Sequence, residues 1–99
     1  MSVHVTSDEP GITVVTVDFP PVNAIPVQGW FDIASAVTAA GRDGSTRVVI
    51  LRAEHRGFCA GVDIKEIERF SGHEHLIGAN RGCAAAFSAI YDCEVPVVA

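Results

Sequence analysis

Hydrophobic and polar positions change their spacing several times along this chain, and each change predicts an element. Val3, Val5 and then Ile12 to Val17 are β-branched runs parted by Ser7-Asp8-Glu9-Pro10-Gly11. Pro-Gly after two acids signals a turn, so the first segment predicts a β-hairpin. Phe19-Pro20-Pro21-Val22-Asn23 ends it, because two prolines cannot continue a central strand. Pro26 suits the first position of a helix, where its missing N–H costs nothing. Val27, Trp30, Phe31, Ala34 and Val37 follow at helical spacing, and Gly41 to Gly44 end the helix. Arg47 to Ala53 contains Val48-Val49-Ile50-Leu51, a continuous apolar run of the kind found in a strand covered on both faces. Glu54 to Gly61 reads as a loop, Val62 to Phe70 as a short charged helix, and Ser71-Gly72 as a break. From His73 to Tyr91 a second long helix presents Leu76, Asn80, Cys83, Ala84, Phe87, Ile90 and Tyr91 as one face. Val95 to Ala99 begins a strand. A β–α–β unit with covered strands implies a sheet with helices outside it. The closing strand has no turn, helix or polar tail after it, which reads as a truncated unit occupying residues 1–99.

Composition adds that the chain is apolar for its size. Of its 99 residues 48% are hydrophobic and 19% charged, and mean hydropathy is +0.31. A single small domain exposes much of its surface. The excess therefore predicts apolar surface covered by a subunit or segment outside this chain, or an Ala/Val-rich domain and nothing more. The net charge of −5 argues against a nucleic-acid partner, since phosphate backbones call for clustered Lys and Arg. A phosphorylated small molecule needs only one or two local cations. Three cysteines, Cys59, Cys83 and Cys93, with no secretory leader, predict free thiols in the cytoplasm. The longest apolar stretch, Cys83 to Tyr91, is too short to cross a membrane.

Candidate chemistry concentrates in Arg56-Gly57-Phe58-Cys59-Ala60-Gly61-Val62-Asp63-Ile64-Lys65-Glu66, directly after the apolar strand. Gly61 permits close backbone approach to a ligand. If a helix starts at Val62, its first N–H groups have no partner within the helix and can donate to an oxyanion. An ordinary strand–loop–helix connection, with Asp63 in the first helical turn, accounts for the same residues. His73-Glu74-His75 lacks metal-ligand spacing, because alternate residues on a helix face different directions. Cys59 has no histidine placed by sequence to activate it and reads as a small packed residue. Glu66 and Glu68 read as a solvated charged face. No Gly-rich phosphate-binding pattern occurs.

Phe58-Cys59-Ala60-Gly61-Val62-Asp63-Ile64-Lys65-Glu66 resembles the A-G-x-D-[IL] signature of the crotonase (enoyl-CoA hydratase/isomerase) superfamily. The resemblance extends along the chain. Pro21-Val22-Asn23-Ala24-Ile25 is similar to the P-x-N-A-[LM] segment before the family's first helix, and Arg47 to Leu51 to its R-[AV]-V-[IV]-[LI] strand. Asn80 to Tyr91 and Val95 to Ala99 resemble the helix and strand before its second motif. The implied fold is α/β, a crotonase-type spiral of β–β–α units of which this is the N-terminal half. The resemblance implies that the Val62 N–H binds a thioester oxygen, and that Ala60, Gly61, Val62, Asp63, Ile64 and Lys65 line the coenzyme A pocket. Lys65 then lies beside phosphate, and Asn23, Ala24 and Ile25 flank the pocket. It implies coenzyme A as part of an acyl-CoA thioester substrate, no tightly bound cofactor, and a homotrimer or hexamer. Ile25-Pro26 departs from the family's leucine followed by a polar residue. The second oxyanion donor and the catalytic carboxylates belong to segments after Ala99, so the 99 residues alone are expected to be inactive. Three readings follow: enoyl-CoA hydration; hydrolysis of a carbon–carbon bond in a steroid-derived bicyclic CoA thioester, as in similar actinobacterial crotonase-like hydrolases; or an inactive fragment or binding partner.

Overall fold

The fold was determined as a computed structural model that describes residues 2–70 and 73–99. The predicted hairpin is β1 (Ser2–Glu9) against β2 (Ile12–Asp18), running in register from Ser2↔Asp18 to Thr6↔Val14 with an irregularity before Glu9↔Ile12. Strand structure continues through Ser7-Asp8-Glu9, so the reversal is confined to Pro10-Gly11, with Gly11 at φ 81°. A two-residue strand β3 (Ala24–Ile25) precedes helix α1 (Val27–Arg42), and β4 (Val48–Ala53) follows it. β2 and β4 pair in parallel from Ile12↔Val48 to Val17↔Ala53, with α1 as the crossover. Next come β5 (Gly61–Val62), α2 (Ile64–Arg69), α3 (His73–Tyr91) and β6 (Val97–Val98). The main sheet has the order β1-β2-β4-β6, and β3 pairs with β5 in a small second sheet.

Sequence periodicity explains the core on the sheet side. Val15 and Val17 of β2 and Val49 and Leu51 of β4 alternate onto one face. α1 covers that face with Ile33, Val37 and Ala40, while its Trp30 joins the same cluster. This corrects two expectations. The buried positions of α1 include Ile33 and Ala40, whereas Phe31 is 36% exposed. β4 is fully covered on one face only, because Val48 and Ile50 on the other are half-buried. The ends of α1 fall within one residue of prediction. Pro26 is the residue before the first turn, and Asp43 closes the helix by donating its N–H to Ala39 O at 3.1 Å and Ala40 O at 3.3 Å.

α3 packs on α1 through its small residues. Ala79, Gly82 and Ala86 are buried, whereas Leu76, Phe87 and Tyr91 of the expected face are exposed. The reason is steric: a Cβ on Gly82 would lie 2.9 Å from Trp30 Cβ and 3.3 Å from Val27 O. The helices therefore approach too closely for large side chains between them. All three cysteines are free. Among the described residues no helix is long and apolar enough to cross a membrane.

Candidate thioester-binding segment

The small sheet is built on Asn23. This residue is fully buried with a left-handed backbone, φ 60°, a conformation that asparagine tolerates better than most residues. Its Oδ1 accepts from Phe19 N at 2.7 Å, and its Nδ2 donates to Glu54 O at 2.5 Å and Gly57 O at 2.8 Å. One side chain thereby ties the turn after β2 to the loop after β4. Its own carbonyl accepts from Ala60 N at 2.9 Å. Asn23 therefore works inside the protein and does not present its amide at the surface.

Beyond Asn23, Ala24 and Ile25 run parallel to Gly61 and Val62. Asp63 N donates to Ile25 O at 3.0 Å. In a parallel ladder one residue of each pair makes both bonds to the neighbouring strand. Ile25 is that residue here, so the Val62 N–H is directed away from β3. Val62 thus lies in a strand, and the helix expected from Val62 to Phe70 begins at Ile64. The ladder phase, in place of a helix terminus, sets the direction of the Val62 N–H. Local sequence carried no signal for this strand, because its partner lies on the far side of α1 and β4. Gly61 has φ 92° and no atom within 4 Å of where a Cβ would sit. Its backbone is therefore approachable, and the positive φ suits glycine.

Asp63 caps α2, its Oδ1 accepting from Lys65 N at 3.1 Å and Glu66 N at 3.3 Å. Ile64 and Lys65 extend into solvent, Ile64 at 63% exposure. Ala60 is exposed, and Ala24 is half-buried beside the buried Ile25. The segment therefore offers a backbone N–H directed away from β3, an open glycine, an apolar side chain and an ammonium within six consecutive positions.

Three neighbours differ from expectation. Glu66 is not a solvated carboxylate: its Oε1 accepts from Val27 N at 2.9 Å and lies 3.0 Å from His75 Nε2. The His75 ring stacks on Phe70 with centroids 4.8 Å apart. His75 thus has an acidic partner, and among the described residues no group of His, Cys, Asp or Glu could hold a metal ion. Cys59 is exposed rather than packed, and Gly61 N donates to its Sγ at 3.3 Å. Burial, with a smaller contribution from Cys59, pushes the Cys83 thiol up from its ordinary range. Further along the loop, hydrogen bonds from His55 and His4 hold the Asp18 carboxyl below the usual carboxylate range. They fasten the exposed His55, at φ 70°, to the end of β2. An open groove of about 690 Å³ between α1 and the end of α3 is lined by Thr38, Arg42, Ala89, Asp92 and others, and includes none of the residues around Val62.

Residues 7–99 match the family described as enoyl-CoA hydratase/isomerase. Over all 99 residues the chain is 65% identical to a Mycobacterium tuberculosis protein named (7aS)-7a-methyl-1,5-dioxo-2,3,5,6,7,7a-hexahydro-1H-indene-carboxyl-CoA hydrolase, covering 40% of it. Over 98 residues, 99% of the chain, it is 64% identical to the Rhodococcus jostii protein of the same name, covering 38% of that protein. The chain thus spans about 40% of the length of these curated relatives. Its fold superposes on an enoyl-CoA hydratase/carnitine racemase structure from Magnetospirillum magneticum with a TM-score of 0.85 at 27% identity, covering 98% of this chain and 37% of that one. With the signature segment, the sheet order and the family match in agreement, the chain belongs to the enoyl-CoA hydratase/isomerase family, as a partial crotonase fold.

Proposed function

We propose that this chain supplies the thioester-binding half of an acyl-CoA enzyme, in which the Val62 N–H donates to the thioester oxygen and stabilises the enolate that forms there. The observation that carries this reading is the outward phase of the Val62 N–H, set by the Ile25 pairing and the Asp63-to-Ile25 bond. A donor held rigidly by a ladder needs no reorganisation when negative charge develops on an oxygen beside it, and one such donor is worth about 100- to 1000-fold in rate. Ala60 to Lys65 form the wall along which coenzyme A lies. The Lys65 ammonium meets its phosphates, and Ala24 and Ile25 support that wall from behind. Coenzyme A enters as part of the substrate, and no tightly bound cofactor is required. The protein works in the cytoplasm as a homotrimer or hexamer.

Among the reactions open to this half-site, hydrolysis of a carbon–carbon bond in a bicyclic CoA thioester is favoured over enoyl-CoA hydration. Its support is the likeness to two proteins named hexahydroindene-carboxyl-CoA hydrolases, at 65% and 64% identity along the chain. The test is turnover of a hexahydroindene-carboxyl-CoA thioester and of crotonyl-CoA by a protein carrying this segment at its relatives' full length. Product from the bicyclic thioester alone is the expected result. Turnover of crotonyl-CoA alone would favour hydration, and turnover of neither would remove the reading.

A further inference from the structure

α1 begins without a cap of its own. Pro26 makes no side-chain hydrogen bond at its start, and the first turn contains no acidic residue. The first N–H groups of a helix have no partners inside it, and its positive end favours a carboxylate. Here the carboxylate comes from another element: Glu66 of α2 accepts from Val27 N at 2.9 Å. Glu66 is itself fixed, since its backbone N–H bonds Asp63 Oδ1 at 3.3 Å, and Asp63 N bonds Ile25 O at 3.0 Å. Ile25 is followed within two residues by Val27. The bonds close a ring that runs from Ile25 to Asp63, to Glu66, to Val27 and back along the chain to Ile25. Val62 immediately precedes Asp63 and is paired with Ile25, so it adjoins two members of this ring.

We infer that Glu66 is a positioning residue for the Val62 N–H: by capping α1 from α2 it closes the ring of bonds that fixes the β3–β5 register. The inference rests on the function proposed above for its kinetic consequence, though not for its structural one. A carboxylate with 21% side-chain exposure at the start of a helix also has a simple stabilising role. The two roles differ in what they change. A stabilising cap alters melting temperature and exchange at Val27, and leaves the β3–β5 bond at Asp63 untouched. A register brace alters the aim of the Val62 donor, and misplacement of a catalytic group by a fraction of an ångström to 1 Å lowers rate by on the order of 10- to 100-fold with little effect on ground-state binding.

The test compares Glu66→Ala, Glu66→Gln and, as a control, Glu68→Ala at the exposed neighbouring carboxylate of the same helix, in a protein carrying this segment at its relatives' full length. The first readout is amide hydrogen exchange at Val27 and Asp63. Exchange should rise about tenfold or more in Glu66→Ala, return towards wild type in Glu66→Gln, which keeps the acceptor oxygen, and stay unchanged in Glu68→Ala. The second readout is kinetic: kcat should fall on the order of tenfold in Glu66→Ala with KM for the bicyclic CoA thioester within about twofold, and Glu66→Gln should restore most of the loss. Unchanged exchange at Asp63 in a folded Glu66→Ala protein, with or without faster exchange at Val27, would overturn the brace and leave a cap alone. So would a loss expressed wholly in KM, or a Glu66→Gln protein as impaired as Glu66→Ala. If wild type turns over no CoA thioester, the functional reading fails and the exchange result still decides whether the brace exists.

Discussion

Asn23 sets the terms at the scale of single residues. Replacing it with alanine strands the buried Phe19 N and two half-buried carbonyls, Glu54 O and Gly57 O. It also places a residue less tolerant of left-handed backbone at φ 60°. Each stranded group costs about 1–3 kcal/mol, so Asn23→Ala is expected to destabilise by about 3 kcal/mol or more in urea titrations. Lys65 stands at the opposite extreme. It is exposed, so an ammonium–phosphate contact there is screened by solvent and salt. Lys65→Ala is expected to weaken coenzyme A binding by about 1 kcal/mol at low ionic strength, and by less in high salt, as read by calorimetry. Affinity unchanged at low salt would remove the phosphate role. The sequence identified both residues through the signature segments. It could not separate them into a buried brace and an exposed side chain, because that difference arises from the loops folding over Asn23.

Between elements, the contact of α1 with α3 is governed by Gly82. With Trp30 Cβ only 2.9 Å and Val27 O 3.3 Å from a hypothetical Cβ, Gly82→Ala forces the helices apart. It is expected to cost about 1–3 kcal/mol in thermal or chemical denaturation, a larger loss than the helix propensity gained from alanine. Helical spacing alone had favoured one face from Leu76 through Asn80, Cys83, Ala84, Phe87 and Ile90 to Tyr91. Of these, Cys83 and Ile90 pack against the core, while Leu76, Phe87 and Tyr91 are exposed. α3 is apolar on several sides, so periodicity of 3.6 does not choose among its stripes. The choice is made by Trp30 and Phe31 of α1, whose close approach to Gly82 sets Ala79, Gly82 and Ala86 as the buried positions, with Cys83 and Ile90 half-buried beside them. The β1–β2 hairpin, α1 and β4 were legible because each depends on local turn residues and local alternation. The strand at Gly61–Val62 was not, because its pairing partner is remote in sequence.

As a whole, the molecule is a slab of 45 × 26 × 15 Å. A single sheet layer and two long helices leave much apolar surface open, with Phe87 at 62% and Tyr91 at 90% exposure. Patches of this kind mark surfaces that bury against something else, and β6 adds a two-residue edge with Val98 exposed. The 99 residues alone are therefore expected to self-associate in sedimentation measurements. They are also expected to show no turnover of crotonyl-CoA or a bicyclic CoA thioester above background, because groups that move protons contribute on the order of 100- to 10,000-fold each and one backbone donor cannot replace them. Turnover by a monodisperse sample of these residues would place the chemistry elsewhere.

The two-residue pairing of Ala24–Ile25 with Gly61–Val62 also has a consequence in time. These strands meet only when α1 and β4 have been brought back alongside β2, so their contacts close a long loop and are gained after the hairpin and the helix crossover. Bonds formed after the rate-limiting barrier slow unfolding without hastening folding. Ile25→Val should then accelerate unfolding in stopped-flow measurements and leave the refolding rate nearly unchanged. The corner holding Val62 would be the last part of the chain to settle and the first to loosen.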